Sequence, residues 1–356
     1  MKRHVILLCA LLVCMVSFAQ KLSKNELKQL QAFLNQPAMT ESTNAAALHI
    51  SDISNPSGWE GVTIENGHVT AIDWSGKKLA GSLNLTGFAA LEKANLSNNR
   101  LTAVAVDNNP ALTYLNIGRN RIKTLNLAGC PQLQDLRVYR NLLTDLDISG
   151  TPLLTRLNVS SNALAELNVD NSANLTYLNC RNNHLEVISV NGCLKLKTLL
   201  ASYNSLNSVD LVGGLPALQD LDLDNNNLQK LYIDNLPNLF TLLVSDNHMT
   251  ALSVQNCRNL SDLDASYNDL STISVADCPN LAFVNLAWND LTYVDLSDQN
   301  FLQRLNLANN QLMTVDVTFD QMLRYLNLAG NYNFTNLEAE GCTSLTMVRG
   351  AGELDI

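Results

Sequence analysis

Asp220, Asp222 and Asp224 stand at alternate positions of one short stretch, Asp-Leu-Asp-Leu-Asp, and alternate residues of an extended strand face the same way. A row of carboxylates invites a cation. Alternate strand residues, however, lie about 6.5–7 Å apart, whereas a calcium ligand comes within about 2.3–2.6 Å of its ion. The three acids therefore do not chelate one ion unaided, and the residues one repeat further on, Thr241 and Leu243, add no carboxylate. No metal or other cofactor is expected. The histidines beyond the first residues, His49, His68, His184 and His248, fall outside the places that carry the acids and aromatics. A nucleophile and base on one face are thus missing, and no enzyme is expected. The remaining chemistry is recognition. Tyr114, Arg119, Arg137, Tyr139, Arg140, Arg156, Tyr177 and Arg181 form a basic, aromatic block. Tyr203, Asp220, Asp222, Asp224, Asp246, Asp262, Asp264 and Tyr267 form an acidic one, followed by Phe283, Trp288, Arg304 and Tyr325. Tyr, Trp and Arg are the residues that dominate binding hot spots, so these are candidate protein-binding residues.

All of them occupy places 3, 5, 7 or 8 of a phrase that the chain repeats. Leu112 to Gln132 reads LTYLNIGRNRIKTLNLAGCPQ, and copies begin at Leu91, Leu133, Leu154, Leu175, Leu196, Leu218, Leu239, Leu260, Leu281, Leu302 and Leu323, with a looser one at Val69 and a degenerate one at Leu345. A period near 21 carrying L-x-x-L-x-L-x-x-N-x-L marks a leucine-rich repeat solenoid. Places 4 and 6 alternate inward as a short strand, and stacked copies give a parallel sheet with rungs about 4.8 Å apart. Places 3 and 5, continued by 7 and 8, then line its concave face. Place 9 is Asn in every copy from Asn99 to Asn331. A buried Asn carries both a donor and acceptors for the backbone groups that the inward turn strands. Places 14 and 16 alternate again, as in Ile188 and Val190, and leave no room for a helix, so short strands are expected on the convex side. The expected fold is a mainly-β solenoid with a small α/β N-terminal cap.

Cys130, Cys193, Cys257, Cys278 and Cys342 share one slot, three residues before the next Leu, and Cys180 sits at inward place 6. There is no C-x-x-C and no nearby His pair, which removes a zinc reading. Only Cys257 and Cys278 are on adjacent rungs, and parallel stacked side chains seldom reach disulfide torsions. Buried thiols acting as small apolar residues are expected.

The boundaries follow. Residues 1–19 read as a signal peptide, with Lys2 and Arg3 before an apolar run and Ser17-Phe18-Ala19 as the cleavage site. Residues 20–68 read as a cap. Ser23 and Glu26 suggest a capping box for a helix running to about Gln36. Asn66-Gly67 between alternating strands suggests a hairpin, and Trp59 a cap core residue. Residues 69–356 read as about 13 repeats. The chain has 23 basic and 33 acidic residues, net −10, and cleavage would remove Lys2 and Arg3 and no acid, giving −12. That balance disfavours nucleic acid, and no membrane insertion is expected after cleavage.

The Trp59-Glu60-Gly61-Val62 to Val69-Thr70-Ala71-Ile72 stretch resembles the N-terminal cap of secreted leucine-rich repeat proteins, including plant-type receptors, although Ile64 stands where a paired cysteine would be. From Leu91 to Leu345 the chain resembles secreted bacterial proteins of the internalin J type, which share the 21-residue repeat. Those repeat Cys at place 6, where this chain has only Cys180. The resemblance implies protein binding and adhesion at a cell surface, outside the cell or in the periplasm.

Overall fold

A computed structural model describes residues 21–211, 214–297, 299–318 and 320–350. The proposed signal segment and residues 351–356 lie outside these. The described chain is a mainly-β solenoid. One sheet of 15 strands runs its length, built from three-residue strands such as Tyr114–Asn116, Asp135–Arg137 and Arg156–Asn158. Places 3, 4 and 5 of each turn pair in parallel with the same places of the next: Tyr114 with Asp135, Arg156 with Tyr177, Asp262 with Phe283, Phe283 with Arg304. This register puts every place-3 side chain in one outward row, while the Leu at places 1, 4 and 6 are buried from Leu91 to Leu328.

The Asn ladder forms as expected. Asn120 Nδ2 donates to Ile117 O of its own turn at 2.9 Å and to Leu96 O of the turn before at 3.0 Å, and its Oδ1 accepts from Leu101 N at 2.9 Å. The same acceptor bond recurs from Asn99, which receives Leu79 N, to Asn331, which receives Leu312 N. One side chain thus satisfies backbone groups of two turns in an apolar interior, where each would otherwise be stranded.

Strands on the convex side occur in patches. They form a pair at Ala80–Asn84 and Arg100–Ala105, another at Val187–Ser189 and Ser208–Asp210, three at Lys230–Asp234, Ala251–Gln255 and Thr272–Ser274, and a pair at Thr314–Asp316 and Asn336–Glu338. Between them single bonds from place 10 to place 11 of the preceding turn continue, as in Leu142 N to Ile122 O at 2.9 Å. Leu146, Ile148, Leu167 and Val169 stay buried there, so the apolar core holds the convex wall where strand pairing lapses.

The first turn is covered by the helix Lys24–Leu34 and the antiparallel hairpin Val62–Glu65 and His68–Asp73. Asn66 and Gly67 at its turn have φ of 50° and 77°, the left-handed pair that a tight hairpin requires. Trp59 is buried, and Trp74 stacks on Phe33 at 5.8 Å. The capping box does not form: Ser23 makes no side-chain cap bond. Glu26 is instead buried, accepting Val69 N at 2.9 Å and facing His68 Nδ1 at 2.8 Å. Its carboxylate ties the helix to the hairpin rather than to its own N-terminus.

The six cysteines among the described residues are free. Cys130, Cys193 and Cys342 each donate to the place-16 carbonyl of the preceding turn, Val106, Val169 and Val317, at 2.9–3.2 Å. Burial pushes the Cys193 thiol up to about 11. The slot also takes larger residues than expected, Gln299 and Asp320, both buried. Burial, with Asp316 nearby, pushes the Asp320 carboxyl up to about 7, against about 3.9 in an unfolded chain. The folded state therefore favours protonated Asp320, so this group's contribution is greatest below about pH 4 and is lost as pH rises to about 7. Asp224, pushed by burial to about 6, acts with the same sign. Stability should rise by on the order of 2 kcal/mol between pH 7 and pH 5. Urea titrations of the parent and Asp320→Asn check this: the gain should shrink in the variant, and an unchanged pH slope would refute the assignment.

Candidate protein-binding face

The concave row at place 3 carries Tyr114, Asp135, Arg156, Tyr177, Asp220, Asp262, Phe283, Arg304 and Tyr325, all partly or fully exposed. Cation–π contacts link its tyrosines to arginines of the next or preceding turn at places 3 and 5. Arg156 lies 3.7 Å over the Tyr177 ring, Arg137 5.3 Å over Tyr114, and Arg304 5.2 Å over Tyr325. These contacts hold the rings and guanidinium planes in fixed poses on a rigid sheet, which lowers the ordering cost of binding. Tyr139 lies over Gly118, where a Cβ would collide with its ring.

Place 5 has a second role that its residue types did not reveal. Its side-chain oxygen accepts the backbone N–H two residues on: Gly118 N to Asn116 at 3.1 Å, Ser160 N to Asn158 at 3.1 Å, Asp224 N to Asp222 at 3.1 Å and Ser266 N to Asp264 at 3.0 Å. This Asx turn lets the chain leave the strand. Leu200 and Leu243 break the pattern and leave apolar surface on the face instead.

The charge blocks are also less separate than the sequence suggests. Asp222 is buried, pairing with Arg181 from two turns earlier and accepting Ser202 Oγ at 3.1 Å. It positions Arg181 and is not itself presented, which corrects its place among the contact residues. Arg137 is held by both oxygens of Asp135, at 3.0 and 2.7 Å, an acid that the candidate set omitted.

Place 8 ends each inward turn in the left-handed region, with φ between 52° and 59° from Asn98 to Asn309 and 82° at Gly330. Gly and Asn tolerate that conformation, and bulky side chains are strained in it. Asn98, Asn182, Asn225 and Asn309 fit this need. Arg119, Arg140, Tyr203, Asp246, Tyr267 and Trp288 occupy the same conformation, all exposed. Tyr267 and Trp288 stack at 5.6 Å with planes 12° apart, each about half exposed. A depression of about 380 Å3 lies on the sheet between Leu243, Asp262, Asp264, Phe283, Arg304 and Tyr325. Leu243 was missed as a contributor, and the signal for it was Leu where other turns have Asn or Asp. Among the described residues, no group of three or more His, Cys, Asp or Glu is placed to hold one metal ion.

The same architecture occurs in solved structures. The functional domain of InlJ from Listeria monocytogenes is 31% identical, with a TM-score of 0.56 over 66% of this chain and 50% of that one. The chain is a leucine-rich repeat protein whose solenoid is similar to that of the internalins. YopM, a leucine-rich effector protein from Yersinia pestis, is 26% identical with a TM-score of 0.53 over 73% of this chain and 77% of that one. Internalin InlF from L. monocytogenes, at 19% identity, shares the fold with a TM-score of 0.59 over 86% of this chain and 92% of that one. The leucine-rich repeat chain spans half the length of the InlJ chain it matches. No protein-family model matches the sequence, and no curated protein does. The InlJ domain includes a cysteine ladder. In the present leucine-rich repeat protein five of the described cysteines share the slot before the next Leu, and Cys180 alone is at place 6.

Proposed function

We propose that this leucine-rich repeat protein is a secreted or cell-surface module, adhesin-like, that recognises a protein ligand on its concave face. Residues 1–19 act as the signal peptide, residues 20–68 close the first turn, and residues 69–356 present the binding surface. The contact set is the one drawn from the sequence, with Asp222 reassigned to support Arg181. The observation that carries the reading is at place 8. Backbone geometry there suits Asn or Gly, and the chain nonetheless places Tyr203, Tyr267, Trp288, Arg119 and Arg140 in it, exposed. Strain kept at exposed aromatic and basic residues is characteristic of functional surfaces, and these are hot-spot residue types.

Photo-crosslinking tests this face against the others. A benzophenone side chain is introduced at Tyr177 or Tyr325 on the concave row, at Tyr232 on the convex wall, and at Tyr332, which is 94% exposed near the last turn. A protein crosslinked from the two concave positions and absent from the other two is expected. Crosslinks confined to Tyr232 or Tyr332 would instead assign an assembly role through the edges or end of the solenoid.

A further inference from the structure

We infer that the acidic half of the concave face seats a basic side chain, Arg or Lys, of the partner protein, in the depression bounded by Asp262, Asp264 and Phe283. The inference rests on the protein-binding reading above and specifies its chemistry. The Asp262 backbone N donates to Phe240 O at 3.1 Å, but its carboxylate meets no hydrogen-bond or ion-pair partner among the described residues. Asp264 is met only by neutral donors: Ser266 N and Oγ on Oδ1, and Asn285 Nδ2 at 3.0 Å on Oδ2. Both carboxylates are partly buried in the sheet face. Phe283 is directly paired with Asp262 on the next strand and is 39% exposed. Leu243 contributes apolar surface beside Asp264, its partner in register.

Arg304 lines the same depression but forms no ion pair with Asp262 or Asp264. Arg304 lies on the far side of Phe283 in the strand order and is turned over Tyr325. Two arginines of the basic block are already paired with acids, Arg181 with Asp222 and Arg137 with Asp135. What is left open is an aromatic face and an apolar floor beside two carboxylates. A Lys or Arg stem covers apolar surface while its head reaches charge, and the head gains from the ring's electron-rich face as well as from the acids. The Tyr267–Trp288 ledge, flanked by exposed Asp246, Asp269 and Asp290, repeats the combination at the edge of the same turns. A net charge of −10 steers a basic partner toward the face before contact.

Calorimetric titration tests the inference with an acetylated, amidated Gly-Arg-Gly-Arg-Gly peptide, its citrulline analogue and its glutamate analogue. The double variant Asp262→Asn, Asp264→Asn keeps side-chain shape and the Asx acceptor, and circular dichroism and urea midpoints confirm its fold. The arginine peptide should bind saturably in about 50 mM salt and weaken as salt is raised. It should bind the variant at least about tenfold more weakly, and neither analogue should bind comparably. Citrulline binding as well as arginine, no saturation up to about 5 mM peptide, or an unaffected variant would each overturn the inference. Capture of the natural partner separates it from the broader reading. A partner retained by the aspartate variant but lost when Tyr203, Tyr267 and Trp288 are changed leaves the concave face as the binding surface and removes the basic side chain. Loss with both variants supports both statements, and retention by both overturns both.

Discussion

Asn226→Ala is expected to destabilise the solenoid by roughly 3 kcal/mol or more, because a stranded buried polar group costs about 1–3 kcal/mol and this substitution strands several. Asn226 Oδ1 accepts Leu206 N at 3.0 Å, and its Nδ2 donates to Ala201 O at 3.1 Å and Leu223 O at 2.9 Å. Two turns lose their tie at once. Because the core of each turn packs on its neighbours, the damage should be local: amide exchange should accelerate around Ala201 to Leu228 before it does so elsewhere. Asn158→Ala at place 5 is the matched control. It removes a partly exposed turn acceptor for Ser160 N, at about 0.5–1.5 kcal/mol. Equal losses in the two variants, or a loss below about 1 kcal/mol for Asn226→Ala, would refute the ladder as the main polar tie of the core.

Tyr203→Asn should separate stability from binding. Tyr203 has φ 56° and is 56% exposed, and the left-handed region costs an ordinary residue about 1–2 kcal/mol, less for Asn. The variant should be more stable by about 0.5–1 kcal/mol and should bind its partner at least about tenfold more weakly. Trp288→Asn relieves the same strain but loses the stack on Tyr267, worth about 0.5–1.5 kcal/mol, so its stability should hardly change while binding falls. A stability loss in Tyr203→Asn would mean that the ring supports the fold. Urea midpoints and partner titrations on the same preparations distinguish the outcomes.

The repeat period, the inward Leu, the Asn ladder, the hairpin at Asn66-Gly67 and the buried Trp59 were all legible in the sequence. Each is a residue type whose spacing has one physical use. Three features of the face were not. Asn at place 5 looks the same whether it faces a ligand or accepts the N–H two residues on, and only the backbone path distinguishes them. The left-handed turn at place 8 was masked because Tyr, Trp and Arg share it with Asn and Gly330, although the recurrent Asn and Gly were the available signal. The Arg181–Asp222 pair joins residues two turns apart, where a long side chain crosses the intervening strand, and charge blocks read along the sequence cannot show such a crossing. Glu26 shows the same limit at the cap: its capping-box spacing was right, but His68 and Val69 compete for the carboxylate and win it.

The most direct test of recognition on the concave face is capture of proteins from surface and extracellular extracts. The bait is residues 20–356, beside a variant carrying Tyr203→Asn, Tyr267→Asn and Trp288→Asn. A protein retained by the parent and lost with the variant, whose urea midpoint is unchanged or higher, is the predicted result. A partner retained equally by both would contradict the account.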